Sequence, residues 1–242
     1  MNIWKTKNNS IIYQVLSGRN NVFLIETATE FILFDSALVN KKQKLIKIIN
    51  TYISSKKKLT SIILSHSHFD HGANAAAIKK IFDAQIIIHK EEAPYLLCGD
   101  SPLPKGTVFL TSFLIKIFGS IVQRMATYEG AEADIIIQGD ESLLMDNSQI
   151  KIIHTPGHSI GSLSIIIDNE IAIVGDALFG IFPWSVFPPF GDDKIGIIKS
   201  WKILLNTDCS LFLPAHGRPV KRSLLGKQYE VYTRKTYSSK MH

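Results

Sequence analysis

Three histidines and an aspartate crowd into six residues, His66, His68, Asp70 and His71, within the stretch Leu64-Ser65-His66-Ser67-His68-Phe69-Asp70-His71-Gly72. Imidazole and carboxylate are the donors that zinc and related transition ions accept most readily. In an extended segment alternate side chains share a face about 6.6 Å apart, so His66 and His68 can close on one ion. Asp70 keeps that phase and His71 breaks it. Pointing both inward requires a turn, and Gly72 is expected to supply it through a backbone conformation other residues resist. The arrangement suits two adjacent ions better than one. A lone histidine is usually a solvated loop residue, a reading that does not account for this density of ligand types.

Downstream the same chemistry recurs in Thr155-Pro156-Gly157-His158, in Gly175-Asp176 and in Pro214-Ala215-His216-Gly217. Each follows an apolar, β-rich run: Ile150 to Ile153, Ile171 to Val174, and Leu211 to Leu213. The 66–71 cluster itself follows a buried-strand pattern, Leu59 to Leu64, and precedes an alanine-rich helical one, Ala73 to Phe82. Strand ends are where a rigid scaffold can hold side chains and still leave a ligand room to enter.

Asp35 after a strand, the 66–71 cluster, His158, Asp176 and His216 come in the order and context that resemble the metallo-β-lactamase fold superfamily of metallohydrolases, over about residues 10–218. The resemblance implies an α/β four-layer αββα sandwich with the metals at one edge of the sheets. It implies one ion on His66, His68 and His158, a second on Asp70, His71 and His216, Asp176 between them, and Asp35 accepting a hydrogen bond that orients a ligand histidine. The implied cofactors are two divalent ions, zinc first, with iron and manganese compatible. The chemistry would be hydrolysis by a hydroxide bridging the two ions, with Asp70 also orienting the nucleophile or passing a proton. Asp176 stands where zinc β-lactamases with this cluster carry a cysteine, which argues against antibiotic hydrolysis. His68 in place of a glutamate separates the chain from the flavodiiron branch. Only 26 residues follow His216, too few for the helical domain of full-length glyoxalase II. What remains resembles the glyoxalase II-like and lactonase-like hydrolases, with an ester, thioester or lactone carrying an apolar portion as substrate. The alternatives are a phosphodiesterase or nuclease on the same dinuclear site, a mononuclear iron persulfide dioxygenase, and a non-catalytic binding protein that metal merely stabilises.

The elements that must position these residues are legible in outline. Ser10 to Leu16, Asn21 to Glu26 and Glu30 to Asp35 read as strands, Asn40 to Ser54 as a helix, and Gln85 to His89 as a strand. Asp134 to Gln138, Gln149 to His154, Leu163 to Asp168, Ile171 to Val174 and Ser210 to Leu213 read as strands, with a helix near Lys194 to Asn206. His89 and His154 read as structural strand-end histidines, and terminal His242 as disordered. A single domain over 1–242 is expected, with an apolar insertion at about 100–130 and a basic C-terminal tail at about 218–242.

Composition sets the frame. A hydrophobic fraction of 45% with 20% charged residues over 242 positions describes a folded globular chain and excludes a disordered one. No secretory signal is evident in Met1 to Gly18, and Cys98 and Cys209 are the only cysteines, not in a paired motif, so the chain reads as cytoplasmic. The net charge of +6 raises an acidic partner. Much of the excess lies in Arg218, Lys221, Arg222, Lys227, Arg234, Lys235 and Lys240, read as a solvated tail or terminal strand. Tyr229, Tyr232 and Tyr237 keep nucleic acid as a less favoured partner beside a small-molecule substrate, and a homodimer is compatible with the sequence.

Two stretches outside the framework should shape the substrate pocket. Leu103 to Tyr128 is rich in apolar residues but too interrupted, by Pro104 and Lys116 among others, for a transmembrane span. It reads equally as a helix packed on the core or as a lid, and Tyr128 is the candidate phenolic helper of a lactonase. The other follows Asp176 directly and offers Phe179, Phe182, Trp184, Phe187 and Phe190 as an apolar pocket wall.

Overall fold

In the computed structural model, which describes residues 2–54, 56–138, 143–145 and 150–238, the β-rich runs pair into two sheets. The first holds, in spatial order, β1 (Ile3–Lys5), β2 (Ile11–Leu16), β3 (Val22–Glu26), β4 (Phe31–Phe34), β5 (Leu59–Ile63), β6 (Gln85–His89) and β7 (Ile135–Ile137). The second comprises β8 (Leu143–Met145), β9 (Ile150–His154), β10 (Leu163–Ile167), β11 (Ile171–Ile173), β12 (Leu211–Leu213) and β13 (Val220–Lys221), in the spatial order β13-β12-β11-β10-β9-β8.

The central strands are buried on both faces, which is why they read as near-continuous apolar runs. Ile87 of β6 and Ile63 of β5 meet Ile165 and Ile167 of β10 between the sheets. Their strand neighbours Ile62, Ile86 and Ile88 face outward, where Leu45 and Ile49 of α1 (Lys42–Tyr52), Ile78 of α2 (Ala75–Phe82) and Leu96 of α3 (Ala93–Cys98) cover them. On the far side Ile166, Ala172 and Phe212 pack against Ile197, Trp201 and Leu204 of α5 (Lys194–Leu205) and Leu225 of α6 (Arg222–Ser238). The layers therefore run helix, sheet, sheet, helix: the αββα sandwich.

Direction matters for the site. β4, β5, β6 and β7 are parallel, and so are β11 and β12, while β9 regains that direction through two antiparallel pairings with β10 between. The carboxyl ends of β4, β5, β9, β11 and β12 consequently deliver their following residues to one edge.

Two expectations are corrected. The basic C-terminal stretch is neither solvated tail nor strand beyond β13; it is α6. Tyr232 stacks on Phe187 with centroids 4.5 Å apart. The Arg222 guanidinium donates to the carbonyls of Thr207 and Cys209 at 2.7 and 3.0 Å and to that of Leu205, closing the end of α5. Gly72 does not adopt a positive φ. The turn is made by the N–H groups of His71 and Gly72, which both donate to the His68 carbonyl at 2.8 and 2.9 Å. Gly72 supplies room instead, since a Cβ there would stand 3.1 Å from the Tyr128 hydroxyl. The apolar stretch at 103–128 forms α4 (Phe109–Met125), which lies along the site with an exposed outer face. Among the described residues no helix is long and apolar enough to cross a membrane. Gln149, Lys240 and His242 lie outside the described residues.

Candidate metal centre

The strand ends converge. Asp35 follows β4; Ser65 to His71 follow β5; His158 comes four residues after β9; Asp176 and His216 come three residues after β11 and β12. Gly175 turns the chain into Asp176 at φ +50° and lets it pass Ser65, whose Cβ would lie 2.6 Å from any Cβ at that position. Larger residues are barred there on both counts.

All seven candidate ligands meet at one edge, six of them from opposite sheets facing each other across Asp176. Ligand atoms of His66, His68 and His158 lie within 4.8 Å of one another, as do those of Asp70, His71 and His216. Asp176 reaches both groups: Oδ2 is 3.3 Å from His158 Nε2, and Oδ1 is 3.3 Å from His216 Nε2 and 3.7 Å from His71 Nε2. Asp70 stands 3.7 Å from both His71 Nε2 and His216 Nε2.

A surrounding layer orients the rings. The His71 ring donates from Nδ1 to Asp35 Oδ2 at 2.8 Å, while Asp35 also accepts from the Ser65 N–H and hydroxyl at 2.8 and 3.0 Å. His158 and His216 donate from Nδ1 to the carbonyls of Phe190 and Arg19 at 3.0 and 2.6 Å. With Nδ1 so engaged, Nε2 is the nitrogen that His71, His158 and His216 turn to the centre, where it can ligate a cation that displaces any proton it carries. Asn21 donates to the carbonyls of Pro214 and Gly217 at 2.9 and 3.0 Å, securing the turn that carries His216.

Glu92 is the residue that sequence reasoning missed. It is buried ahead of α3, and its Oε2 accepts from the Ser67 N–H and hydroxyl at 3.0 and 2.5 Å while Oε1 accepts from the Gly161 N–H at 3.2 Å. It thus ties the loop bearing His66 and His68 to the loop bearing His158. No spacing rule marks it; the only signal was an acid next to a β-rich run and a helix start. Glu92→Gln turns an N–H₂ toward one of these donors. We expect metal affinity to fall about 10- to 100-fold, as for partners that orient ligands, with a stability loss of about 1–3 kcal/mol. Chelator competition and thermal unfolding measure both, and wild-type values would contradict the clamp.

Burial, together with neighbouring His71, His68 and His158, holds His66 well below the usual imidazole range, and burial with His158 brings His68 down to about 4. Burial would lower His71 as well, yet Asp35, Asp176 and Asp70 outweigh it and raise that ring to about 10. Burial opposes the charge on Asp176, but His216, His158 and His71 prevail and keep its carboxyl well below the usual carboxylate range. One side of the cluster keeps neutral imidazoles, and the other is carboxylate-rich and draws positive charge.

Nε2 of His66, Nε2 of His71 and Oδ1 of Asp176 are buried without a hydrogen-bond partner. Each such orphan costs about 1–3 kcal/mol. Three ligand-type atoms gathered within 4.8 Å of one another are a donor set a cation can use, so the residues present fit divalent metal.

A family model described as the metallo-beta-lactamase superfamily matches residues 17–216. The chain belongs to this superfamily. A relative in Methanocaldococcus jannaschii, named probable metallo-hydrolase MJ0888, is 31% identical over 66% of this chain and 71% of its own length. Across the first curated relatives the matched chain spans about two thirds of their length, from 61% to 71%. Among solved structures, the BLEG-1 B3 metallo-beta-lactamase aligns with a TM-score of 0.66 at 20% identity, covering 89% of this chain and 95% of that one. TTHA1623, solved in a di-iron-bound form, aligns with a TM-score of 0.61 at 21% identity, covering 88% and 96%. At these identities the likeness is one of fold.

In this member of the metallo-beta-lactamase superfamily a cavity of about 320 Å³ opens onto His68, Asp70, His158, Asp176 and His216. Of the aromatic residues expected in its wall, Phe179 and Phe190 line it, and Phe179 stacks on His216 at 4.6 Å. The other four are corrected. Phe182 and Trp184 stack on each other at 5.3 Å and are 46% and 70% exposed. Phe187 turns away into an aromatic cluster with Trp201 and Tyr232. Tyr128 packs toward the α1–α3 layer, and its hydroxyl donates to the Ser67 carbonyl, so it is no phenolic helper at the cavity. The rest of the wall comes from Phe69, Leu103, Ile115, Val122, Ile181 and nearby prolines, with the Arg19 side chain also lining the cavity. His89 and His154 stand apart, their rings parallel at 4.3 Å.

Proposed function

We propose that this protein is a metal-dependent hydrolase with a dinuclear centre, acting on an ester, thioester or lactone that carries an apolar portion. His66, His68 and His158 would hold one divalent ion, and Asp70, His71 and His216 the second. Asp176 offers one carboxylate oxygen toward each set. The observation that carries this reading is the trio of buried, unpartnered donor atoms on His66, His71 and Asp176. Imidazole and carboxylate donors suit zinc first and iron or manganese next. When bound, such ions lower the pKa of coordinated water to about 7 and polarise a carbonyl oxygen.

The chain's own residues supply the rest. Asp35 and the two backbone carbonyls fix three ring orientations, so the centre is formed before substrate arrives. Asp70 lines the cavity and is the carboxylate placed to hold a proton beside the reacting group. Phe179, Phe190, Ile115 and Val122 give the cavity an apolar wall that can exclude water from an acyl chain or lactone ring. A phosphodiester reading has less support, because the basic C-terminal helix packs on α5 through Tyr232 and Arg222.

The test is a substrate panel on metal-loaded protein: aryl esters, lactones, thioesters and bis-aryl phosphates. An acyl substrate with an apolar portion should turn over fastest. Preference for the phosphates, or oxygen uptake with one iron per chain, would overturn the proposal.

A further inference from the structure

An exposed face of α4, about a third of a turn from the row that lines the cavity, is apolar and open. At about 100° per residue, Leu110, Phe113, Leu114, Ile117, Phe118 and Ile121 fall on one arc, and each is between 41% and 63% exposed. The adjoining row is the one that faces the protein: Thr111 is buried, and Ile115 and Val122 line the cavity. A helix at a protein surface ordinarily shows the reverse, and a contiguous apolar patch of this kind marks an interaction surface.

Charge identifies the partner. From Lys105 to Tyr128 the chain carries Lys105, Lys116 and Arg124 and not one acid. All three cations are exposed, and Ser112, Lys116 and Ser120 at four-residue intervals form a polar stripe that borders the apolar arc and runs into it at Arg124. An apolar arc bordered by Lys and Arg is the pattern of a helix lying in the headgroup region of an anionic bilayer. Its 17 residues reach about 25 Å, a length that lies along a membrane surface and does not cross it. A second copy fits less well, since a two-fold pairing of this face would bring its cations together with no acid on the helix to offset them.

A second exposed apolar segment adjoins the first. Ile181, Phe182 and Trp184 are 46%, 46% and 70% exposed, and exposed Trp and Phe suit a membrane–water interface. The start of α4 is tied to the same loop: the Thr107 N–H and Thr111 hydroxyl donate to the Pro189 carbonyl at 3.0 and 2.7 Å. Ile181 from one segment and Ile115 and Val122 from the other line one cavity, so both segments border it.

We propose that α4 and the 181–184 segment dock this protein on an anionic lipid surface, with the mouth of the cavity facing the bilayer. Such docking is independent of which bond the centre cleaves.

The experiment is co-sedimentation of the full chain with phosphatidylcholine vesicles, with and without phosphatidylglycerol, at low and high salt, alongside light scattering of the free protein. Partition into the phosphatidylglycerol vesicles should exceed that into neutral vesicles by about ten-fold or more and fall with salt. Phe113→Glu with Ile117→Glu, neither of which lines the cavity, should abolish binding while metal content and thermal midpoint stay unchanged. Lys116→Glu with Arg124→Glu should remove the preference for anionic lipid. Absence of binding at low salt would overturn the proposal, and so would equal, salt-insensitive binding to both vesicles. A dimer in solution that the Phe113→Glu, Ile117→Glu variant dissociates would assign the face to a second copy instead.

Discussion

Asp176→Ala is expected to lose metal and activity together. Asp176 is the one side chain whose two oxygens reach toward both histidine sets, 3.3 Å from His158 Nε2 on one side and from His216 Nε2 on the other. Its removal leaves two groups of imidazoles facing each other across a gap, with Asp70 as the only remaining carboxylate of the seven. Partners that merely orient ligands account for about 10- to 100-fold in metal affinity, so a shared ligand should cost more than about 100-fold by the same measure. The strands should keep their pairings, because the contacts of Asp176 are to the His71, His158 and His216 rings and not to a strand backbone, while those rings lose a counter-charge and metal-free stability falls somewhat. Metal content after gel filtration and turnover on the best panel substrate are the readouts. Full turnover at unchanged metal content would remove Asp176 from the centre.

Asp35 should show a different balance, with the larger stability loss accompanying the loss of metal affinity. It is fully buried and accepts three hydrogen bonds, from the His71 ring and from the backbone and hydroxyl of Ser65. Asp35→Ala strands all three donors, and breaking a buried pair in this way costs about 3–5 kcal/mol, a large part of a typical total of 5–15 kcal/mol. The residue also sits at φ +64°, a conformation that Asp and Asn tolerate better than Ala. Asp35→Asn separates the two effects: it keeps the backbone conformation and an acceptor for Ser65 but turns an amide toward His71. The asparagine variant should therefore fold with a smaller stability loss and still bind metal about 10- to 100-fold more weakly. Thermal unfolding without metal, followed by chelator competition, gives both numbers. An asparagine variant with wild-type metal affinity would show that Asp35 does not orient His71 for a ligand role.

How much of this could be read from the chain alone depended on whether the information was local. The 66–71 cluster and the His158, Asp176 and His216 strand ends stood out because each carries its context with it, a short apolar run and then a turn. The layers of the sandwich were likewise written in runs such as Gln85 to His89, apolar on both faces because both faces are covered. Glu92 was not legible, since its partners Ser67 and Gly161 lie 25 and 69 positions away. The helix α6 was obscured by its charge; Leu225 and Tyr232 do recur on one face, but what holds them is the packing of α5 and Phe187. The aromatic run after Asp176 shows the limit most clearly. Proximity to a candidate ligand placed Phe179 and Phe190 at the cavity, but the chain reverses between them, sending Phe187 into the core and Trp184 into solvent. Which side of a turn faces a cavity is set by tertiary packing, not by adjacency.

The central claim is that seven side chains from two sheets form one centre for a pair of cations. Calorimetric titration of the metal-free protein with zinc tests it most directly. The account predicts two equivalents bound per chain in the wild type, reduced or abolished in Asp176→Ala. No binding, or saturation at a single equivalent that Asp176→Ala leaves untouched, would contradict it.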